Sequence, residues 1–360
     1  MTRELCALVA GGAVGCDEAR LPELLALART HRVHLLLSQQ LARVQPSLMS
    51  TDVEALRVEA RVEALRDAVR VGELLRVAAA LESSGCDPVV FKGAALALTH
   101  YDESRWRPRL DSDVIVDPGS RTRAASTLAA LGYTRPPMTS GRYVMHQEMH
   151  VRPDPVVGEH VIDLHWKLAN PNLLAGLPGH AELRARAARL LLPEGELHVA
   201  SAPDALVIGC VHRVAHHAGS AQLLWLYDIH LVASRLTVAE WSRVTDIAER
   251  ARVAAVVGRG LELAAEAFGE CVPATVREAL QSAGREASAV FLRGHVRPLE
   301  RLRADVTALG TVGGARLIAE HLFPPASYMR EKYGFRSGAL LPLAYARRIV
   351  AAAVRSSRRR

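Results

Sequence analysis

Aromatic side chains are scarce: Phe, Trp and Tyr make up 4% of the 360 residues. That excludes a ring-lined platform for stacking single-stranded bases. It also leaves Leu, Val and Ala to build the core, a mixture that favours helices. The five cysteines (Cys6, Cys16, Cys86, Cys210 and Cys271) are odd in number, scattered and without a C-x-x-C pair. They exclude a disulfide framework and point to a reduced, cytoplasmic compartment. No apolar run reaches the ~18 residues of a membrane span, and the stretch from Ala339 to Val354 is interrupted by Arg347-Arg348. The segment Ala13-Val14-Gly15-Cys16 loosely resembles a lipoprotein cleavage site. The apolar stretch before it is short and Gly-rich, and Glu4 offsets Arg3, so it lacks the pattern of an export signal.

A basic body is also missing. Lys plus Arg number 45 against 38 acids, a formal charge of +7. Six of the positive residues (Arg347, Arg348, Arg355, Arg358, Arg359 and Arg360) lie in an acid-free stretch at the C-terminus. The rest of the chain is close to neutral, which argues against a nucleic-acid template as partner. The tail is read as a frayed, solubilising helix end, with peripheral contact to an anionic membrane as the alternative.

What remains has the balance of a globular protein, with 49% hydrophobic and 23% charged residues. Residues 1–85 read as helices. Ser50, Thr51 and Asp52 offer capping chemistry, Val58, Val62, Leu65 and Val69 recur at helical spacing, and Gly85 suits a stop. Val89-Val90-Phe91 and Asp113-Val114-Ile115-Val116 read as short buried strands, followed by a helix over about 120–131. Residues 143–151 and 160–166 read as strands joined by a turn from Arg152 to Glu159. From about 195 the chain is helical again. This divides it into an N-terminal helical segment (1–85), an α/β core (86–195), a C-terminal helical domain (196–345) and a basic tail (346–360).

The chemistry concentrates between Phe91 and Trp166. Asp111 and Asp113 alternate along a strand and project from one face, with Val114 and Val116 on the other. Neighbouring carboxylates repel unless a cation lies between them, and Mg²⁺ (or Mn²⁺) suits hard oxygen ligands. Asp163 lies fifty residues on, in a strand whose alternate side is Ile162, Leu164 and Trp166. If the two strands are neighbours, three carboxylates share one surface and can hold two metals about 3.5–4 Å apart, a clamp for phosphoryl or nucleotidyl displacement. Lys92-Gly93-Ala94 sits where a helix should follow the first strand, and a glycine at a helix N-terminus admits a phosphate. Lys92 is one of three lysines in the chain.

Other groups are weaker signals. His212 and His216 lie four apart on one helical face. Helix packing is the plain reading, with cleft-facing substrate contacts or a zinc pair as alternatives. His146, Glu148 and His150 share a strand face, read as solvated or, if bordering Asp163, as touching the acceptor. His165 shares a face with Asp163 and is a better candidate. Asp228 reads as a polar partner for a neighbouring helix.

Taken in order, Lys92-Gly93, Tyr101, Arg107-Pro108, Asp111-Ser112-Asp113-Val114-Ile115-Val116, Gly132-Tyr133, His146 with Glu148, and Asp163-Leu164-His165-Trp166 resemble the uncharacterised nucleotidyltransferase family of the polymerase-beta-like nucleotidyltransferase superfamily. The similarity continues through Asp204-Ala205-Leu206, His212, His216-His217, Leu224-Trp225-Leu226-Tyr227-Asp228 and Trp241, and covers roughly residues 85 to 345. The resemblance implies an α+β fold with a mixed sheet, flanked by the N-terminal helical segment and the C-terminal helical domain. It implies Mg-NTP as substrate, Asp111, Asp113 and Asp163 as metal ligands and catalytic carboxylates, Gly93 lining the triphosphate, and Lys92 and Arg107 as phosphate contacts. His165, His212 and His216 become candidates for the cleft or acceptor. Ala94 replaces the Ser or Gly common in the superfamily, and Ser112 replaces an apolar residue. The expected activity is transfer of a nucleoside monophosphate from an NTP to a small-molecule or protein hydroxyl, releasing pyrophosphate. The alternatives are a non-catalytic nucleotide-sensing or partner-binding module on the same fold, and a phosphotransferase moving the γ-phosphate.

Overall fold

The computed structural model describes residues 2–357 apart from 13–15, 49, 139–140, 142, 218, 282–285 and 294–297; beyond residue 351 it describes the backbone only. Ala13-Val14-Gly15 of the lipoprotein-like segment and the charged ends of Arg355, Arg358, Arg359 and Arg360 therefore lie outside the described residues. Helices α1 (Thr2–Val9), α2 (Leu21–Thr30), α3 (His34–Val44) and α4 (Thr51–Ser83) come first. The core follows as β1 (Val89–Phe91), α5 (Lys92–Thr99), β2 (Asp111–Ile115), α6 (Arg121–Ala130), β3 (Gln147–Asp154), β4 (Gly158–His165), α7 (His180–Arg186), β5 (Ala188–Leu192) and β6 (Gly195–Val199). The remainder is helical: α8 (Ala202–His217), α9 (Leu223–Ala233), α10 (Val238–Arg250), α11 (Ala254–Phe268), α12 (Ala274–Gln281), α13 (Pro298–Leu322), α14 (Ala326–Tyr333) and α15 (Leu341–Ser357).

The architecture is α+β, built on a sheet of strand order β3-β4-β2-β1-β6-β5. It is mixed: β2 runs parallel to β4 and β1 parallel to β6, while the other neighbours are antiparallel. The hairpin β3–β4 is tighter than the sequence suggested. Asp154 Oδ1 accepts from the backbone N–H of Val156 and Val157 at 2.8 and 3.0 Å, and Gly158 takes φ 82°. That closes the turn within three residues and lengthens both strands toward it. The hairpin β5–β6 was not anticipated; its signal is Pro193-Glu194-Gly195 between two alternating runs, and its last strand extends to Val199.

One face of the sheet packs Val90, Val114, Val116, Ile162 and Leu164 against Leu74, Val77, Ala78 and Leu81 of α4 and against Ala124 and Leu128 of α6. The start of α4 joins a different cluster. There Val53, Leu56 and Ala60 meet α1–α3 together with Leu223, Leu224, Leu226 and Tyr227 of α9, so the N-terminal helices share a core with the C-terminal half. Ser50 caps α4 by accepting from Val53 N–H, as expected. The buried face is not the expected one, however: Val58, Val62 and Leu65 are exposed. Helical spacing identifies a helix, but the two clusters decide which side is covered, and the middle of α4 bridges between them.

The C-terminal helices tie down loops beside the sheet. Asp305 accepts from Leu173 N–H at 2.9 Å, and Glu320 accepts from Tyr143 and Val144 N–H at 2.8 and 3.1 Å. Of the tail arginines, Arg347 lies over the Tyr333 ring and Arg348 donates to the His321 carbonyl. Among the described residues no helix is long and apolar enough to cross a membrane.

Candidate active site

The strand register assembles the site. Asp113 pairs with Asp163 across the parallel β2–β4 ladder, and Met149 and Phe91 extend that row to β3 and β1. The next row holds His165, Ile115 and Gln147. Paired residues share a face, so Asp113, Asp163, His165 and Gln147 stand together, with Asp111 two residues earlier on β2 at the exposed strand end. The aspartates fifty positions apart are direct neighbours.

They are not equivalent. Asp113 is buried, and its Oδ1 receives Lys92 Nζ at 2.6 Å and His165 Nε2 at 2.9 Å. Burial alone would raise its pKa, but the Lys92 charge and the His165 hydrogen bond hold it far below the ordinary range. Asp163 is half-buried, and its one side-chain hydrogen bond among the described residues comes from Gln147 Nε2 at 3.2 Å. Burial, then the charges of Asp113 and Asp111, push its pKa up to about 7. Asp111 is raised too, by burial and by Asp113. The cluster carries more negative charge than its own cations offset. Ligand atoms of Asp113, Asp163 and His165 all lie within 4.8 Å of one another, a spacing that one metal ion can bridge. His165 is kept neutral by burial and by Lys92, so it can serve as a ligand. These donors, two carboxylates and a neutral imidazole around an uncompensated charge, fit a divalent cation.

The turn after β1 departs from the expected arrangement. Lys92 adopts φ 53°, a left-handed conformation costly for a side chain that is not glycine. A Cβ at residue 93 would lie 2.5 Å from Arg107 Nη1, so the missing side chain at Gly93 makes room for that guanidinium. Arg107 is not a free phosphate cation. Its Nε and Nη2 grip Asp228 Oδ1 and Oδ2 at 2.9 and 2.7 Å, and Tyr101 Oη donates to the same carboxylate at 2.7 Å. Burial would lower the Arg107 pKa, but Asp228 reverses that and raises it. Asp228 thus ties α9 to the loop entering β2, a more particular role than partner of a helix.

His212 and His216 stand at the end of α8 with ring centroids 5.1 Å apart, and His217 stacks on Trp225 at 4.0 Å. Burial, then the charge of Lys92, lowers His212 to about 2 and His216 to about 3, so both are neutral and within electrostatic reach of the Lys92–Asp113 pair. They belong to no group of three possible metal ligands among the described residues, which leaves the zinc reading without support.

His146 precedes β3, with its Nδ1 2.9 Å from the Ala169 carbonyl, and the pair Glu148 and His150 does not border Asp163's face. Glu148 pairs with Leu164 and His150 with Ile162, which places them on the opposite side of the sheet. There Glu148 is held by Arg121 and, at 3.0 Å, by Arg135. Its neighbour Gln147 is, with Met149, one of the β3 residues facing the site, and as a neutral amide it carries no charge that would single it out in the sequence.

The family model described as an uncharacterised nucleotidyltransferase matches residues 17–269, more than half of the chain. The match begins within the N-terminal helices, earlier than the resemblance read from motifs, and stops at the end of α11. No curated protein matches the chain.

Proposed function

The chain belongs to the uncharacterised nucleotidyltransferase family, and from that premise we propose a metal-dependent transfer of a nucleoside monophosphate from an NTP to a hydroxyl group, with release of pyrophosphate. The observation that carries this reading is the pairing of Asp113 with Asp163, where one carboxylate is neutralised and the other left near pKa 7 without a counter-cation. Asp111, Asp113 and Asp163 would hold Mg²⁺ or Mn²⁺, with His165 beside them. A divalent ion bound there supplies charge neutralisation at the phosphates and polarises the α-phosphorus.

The residues do the rest. The acceptor hydroxyl would give its proton to an Asp163 carboxylate oxygen that the ion leaves free, acting as general base. The acceptor oxygen then bonds to the α-phosphorus, the bond from that phosphorus to the β-phosphate oxygen breaks, and pyrophosphate leaves with the electron pair. Lys92, paired with Asp113 in the free protein, would turn to the incoming phosphates. Arg107 keeps its place on Asp228 and contributes its remaining nitrogen at Gly93. His212 and His216, neutral and close by, would line the cleft on the acceptor side. The near-neutral body and scarce aromatics favour a small-molecule or protein acceptor over a nucleic-acid template.

Incubating the protein with each NTP and Mg²⁺ while following pyrophosphate tests the reaction. Pyrophosphate release supports it. NDP release would instead indicate γ-phosphate transfer, and binding without turnover would indicate a nucleotide sensor.

A further inference from the structure

The two cations expected to meet phosphate are both engaged, Lys92 by Asp113 and Arg107 by Asp228. A third lies at the same edge of the sheet and comes from the N-terminal helices. Arg32 occupies the tight turn between α2 and α3, with φ 58°. That turn is fastened to the start of α9: Leu223 N–H donates to His31 Nδ1 at 3.3 Å, Leu224 N–H to the His31 carbonyl at 3.3 Å, and Gln222 Nε2 to the Thr30 carbonyl at 3.4 Å. Helix α9 is also the element whose Asp228 holds Arg107 against Gly93. One helix therefore anchors the turn that carries Arg32 and holds the guanidinium of Arg107.

The Arg32 side chain is partly buried and makes no hydrogen bond or ion pair among the described residues. Its charge is felt by, and feels, Arg107, Asp111 and Asp228, and it also acts on His217. The two arginines repel. A partly buried guanidinium with five donors and no acceptor, on a turn tied to the helix that holds a second guanidinium, is arranged for a multiply charged anion that satisfies both.

We infer that Arg32 contacts the β- and γ-phosphates of the bound nucleotide, and hence the departing pyrophosphate, so that a residue of the N-terminal helices completes the phosphate side of the site. This rests on the nucleotidyl-transfer reading above.

The test is calorimetric titration of the full chain with Mg-NTP, with the corresponding Mg-NMP and with inorganic pyrophosphate. It compares wild type with Arg32→Gln, Arg32→Asn (which tolerates the left-handed turn) and Arg32→Lys. Binding of NTP and pyrophosphate should weaken at least about tenfold in the Gln and Asn variants, the loss expected for a charged hydrogen-bond donor. NMP binding should stay within about twofold, and Lys should recover part of the loss. Variants that melt lower but bind NTP and pyrophosphate like wild type would make Arg32 a structural counter-charge and overturn the inference while leaving the reaction intact. An equal loss for NMP and NTP would overturn it as well. A wild-type protein that binds neither nucleotide nor pyrophosphate would overturn the proposed function and the inference with it.

Discussion

Two carboxylates on adjacent strands, Glu148 on β3 and Asp163 on β4, face opposite sides of the same sheet and meet opposite fates. Glu148 is buried, which alone would raise its pKa, yet His150, Arg121 and Arg135 bring it down to about 2. For Asp163 burial acts in the same direction, no cation reverses it, and the neighbouring acids Asp113 and Asp111 add to it, so its pKa rises to about 7. The first side has supplied its own counter-charges. The second keeps a surplus of negative charge that only something from outside can neutralise. A fold tolerates such a cost where the missing partner is part of its chemistry.

Substitution should separate the two sides. The largest effect is on turnover: Asp163→Asn should lower pyrophosphate release by about 10³-fold or more, the scale of losing a metal-holding carboxylate. Retained release in that variant would refute the assignment. Asp113→Asn should be equally inactive but also less stable, because it strands the buried Lys92 ammonium without its anion.

Stability should then respond with opposite signs. Asp163 titrates at about 7 in the fold against 3.8 ordinarily. The folded state holds the extra proton between those values, so stability falls as pH rises through that window, and the penalty is complete above it. Asp163→Asn should therefore stabilise the metal-free protein at pH 8 by about 2–4 kcal/mol, seen as a higher melting temperature, with the gain vanishing by about pH 4. Glu148 sits at about 2 against 4.5, so its contribution is present above pH 4.5 and lost as pH falls toward 2. Glu148→Gln should cost about 1–3 kcal/mol at neutral pH by leaving Arg121 without a charged acceptor. Equal signs in the two melting curves would erase the contrast.

Metal gives a smaller effect of the same kind. Excess Mg²⁺ or Mn²⁺ should raise the wild-type melting temperature more at pH 8 than at pH 6, because a proton on Asp163 competes with the ion. Asp163→Asn should lose most of that response, and a chelator should cancel it. The smallest change is Gln147→Ala, which removes the single hydrogen bond to Asp163. It should cost only a few-fold in rate, within the ~0.5–1.5 kcal/mol of one such bond.

Much of this was legible before any coordinates. The strand alternation that puts Asp111 and Asp113 on one side, the capped start of α4 and the strand around Asp163 all follow from local pattern, because period and capping depend on residues a few positions apart. The family-like order of Lys92-Gly93, Asp-Ser-Asp and Asp163 was legible for the same reason. Where local pattern misled, the deciding partner lay far along the chain. Val58, Val62 and Leu65 form a helical stripe that stays exposed among the described residues. Arg107 resembles a phosphate ligand until Asp228, 121 residues later, takes its guanidinium. Glu148 and His150 share a face as expected, while His146 falls outside the strand, and the pairing of β3 with β4 assigns that face to the other side of the sheet.

From the sequence alone came most of the elements and their order, though not the hairpin β5–β6, and the residue types able to hold a metal and a phosphate, since these are properties of short stretches. Register, and with it the meeting of Asp113 with Asp163, the choice of Gln147 over Glu148, and the docking of the α2–α3 turn on α9, were settled only by tertiary packing. The reason is that a side chain's charge environment is set by whichever distant segments are buried against it, and in this protein those segments span the chain from α2 to α9.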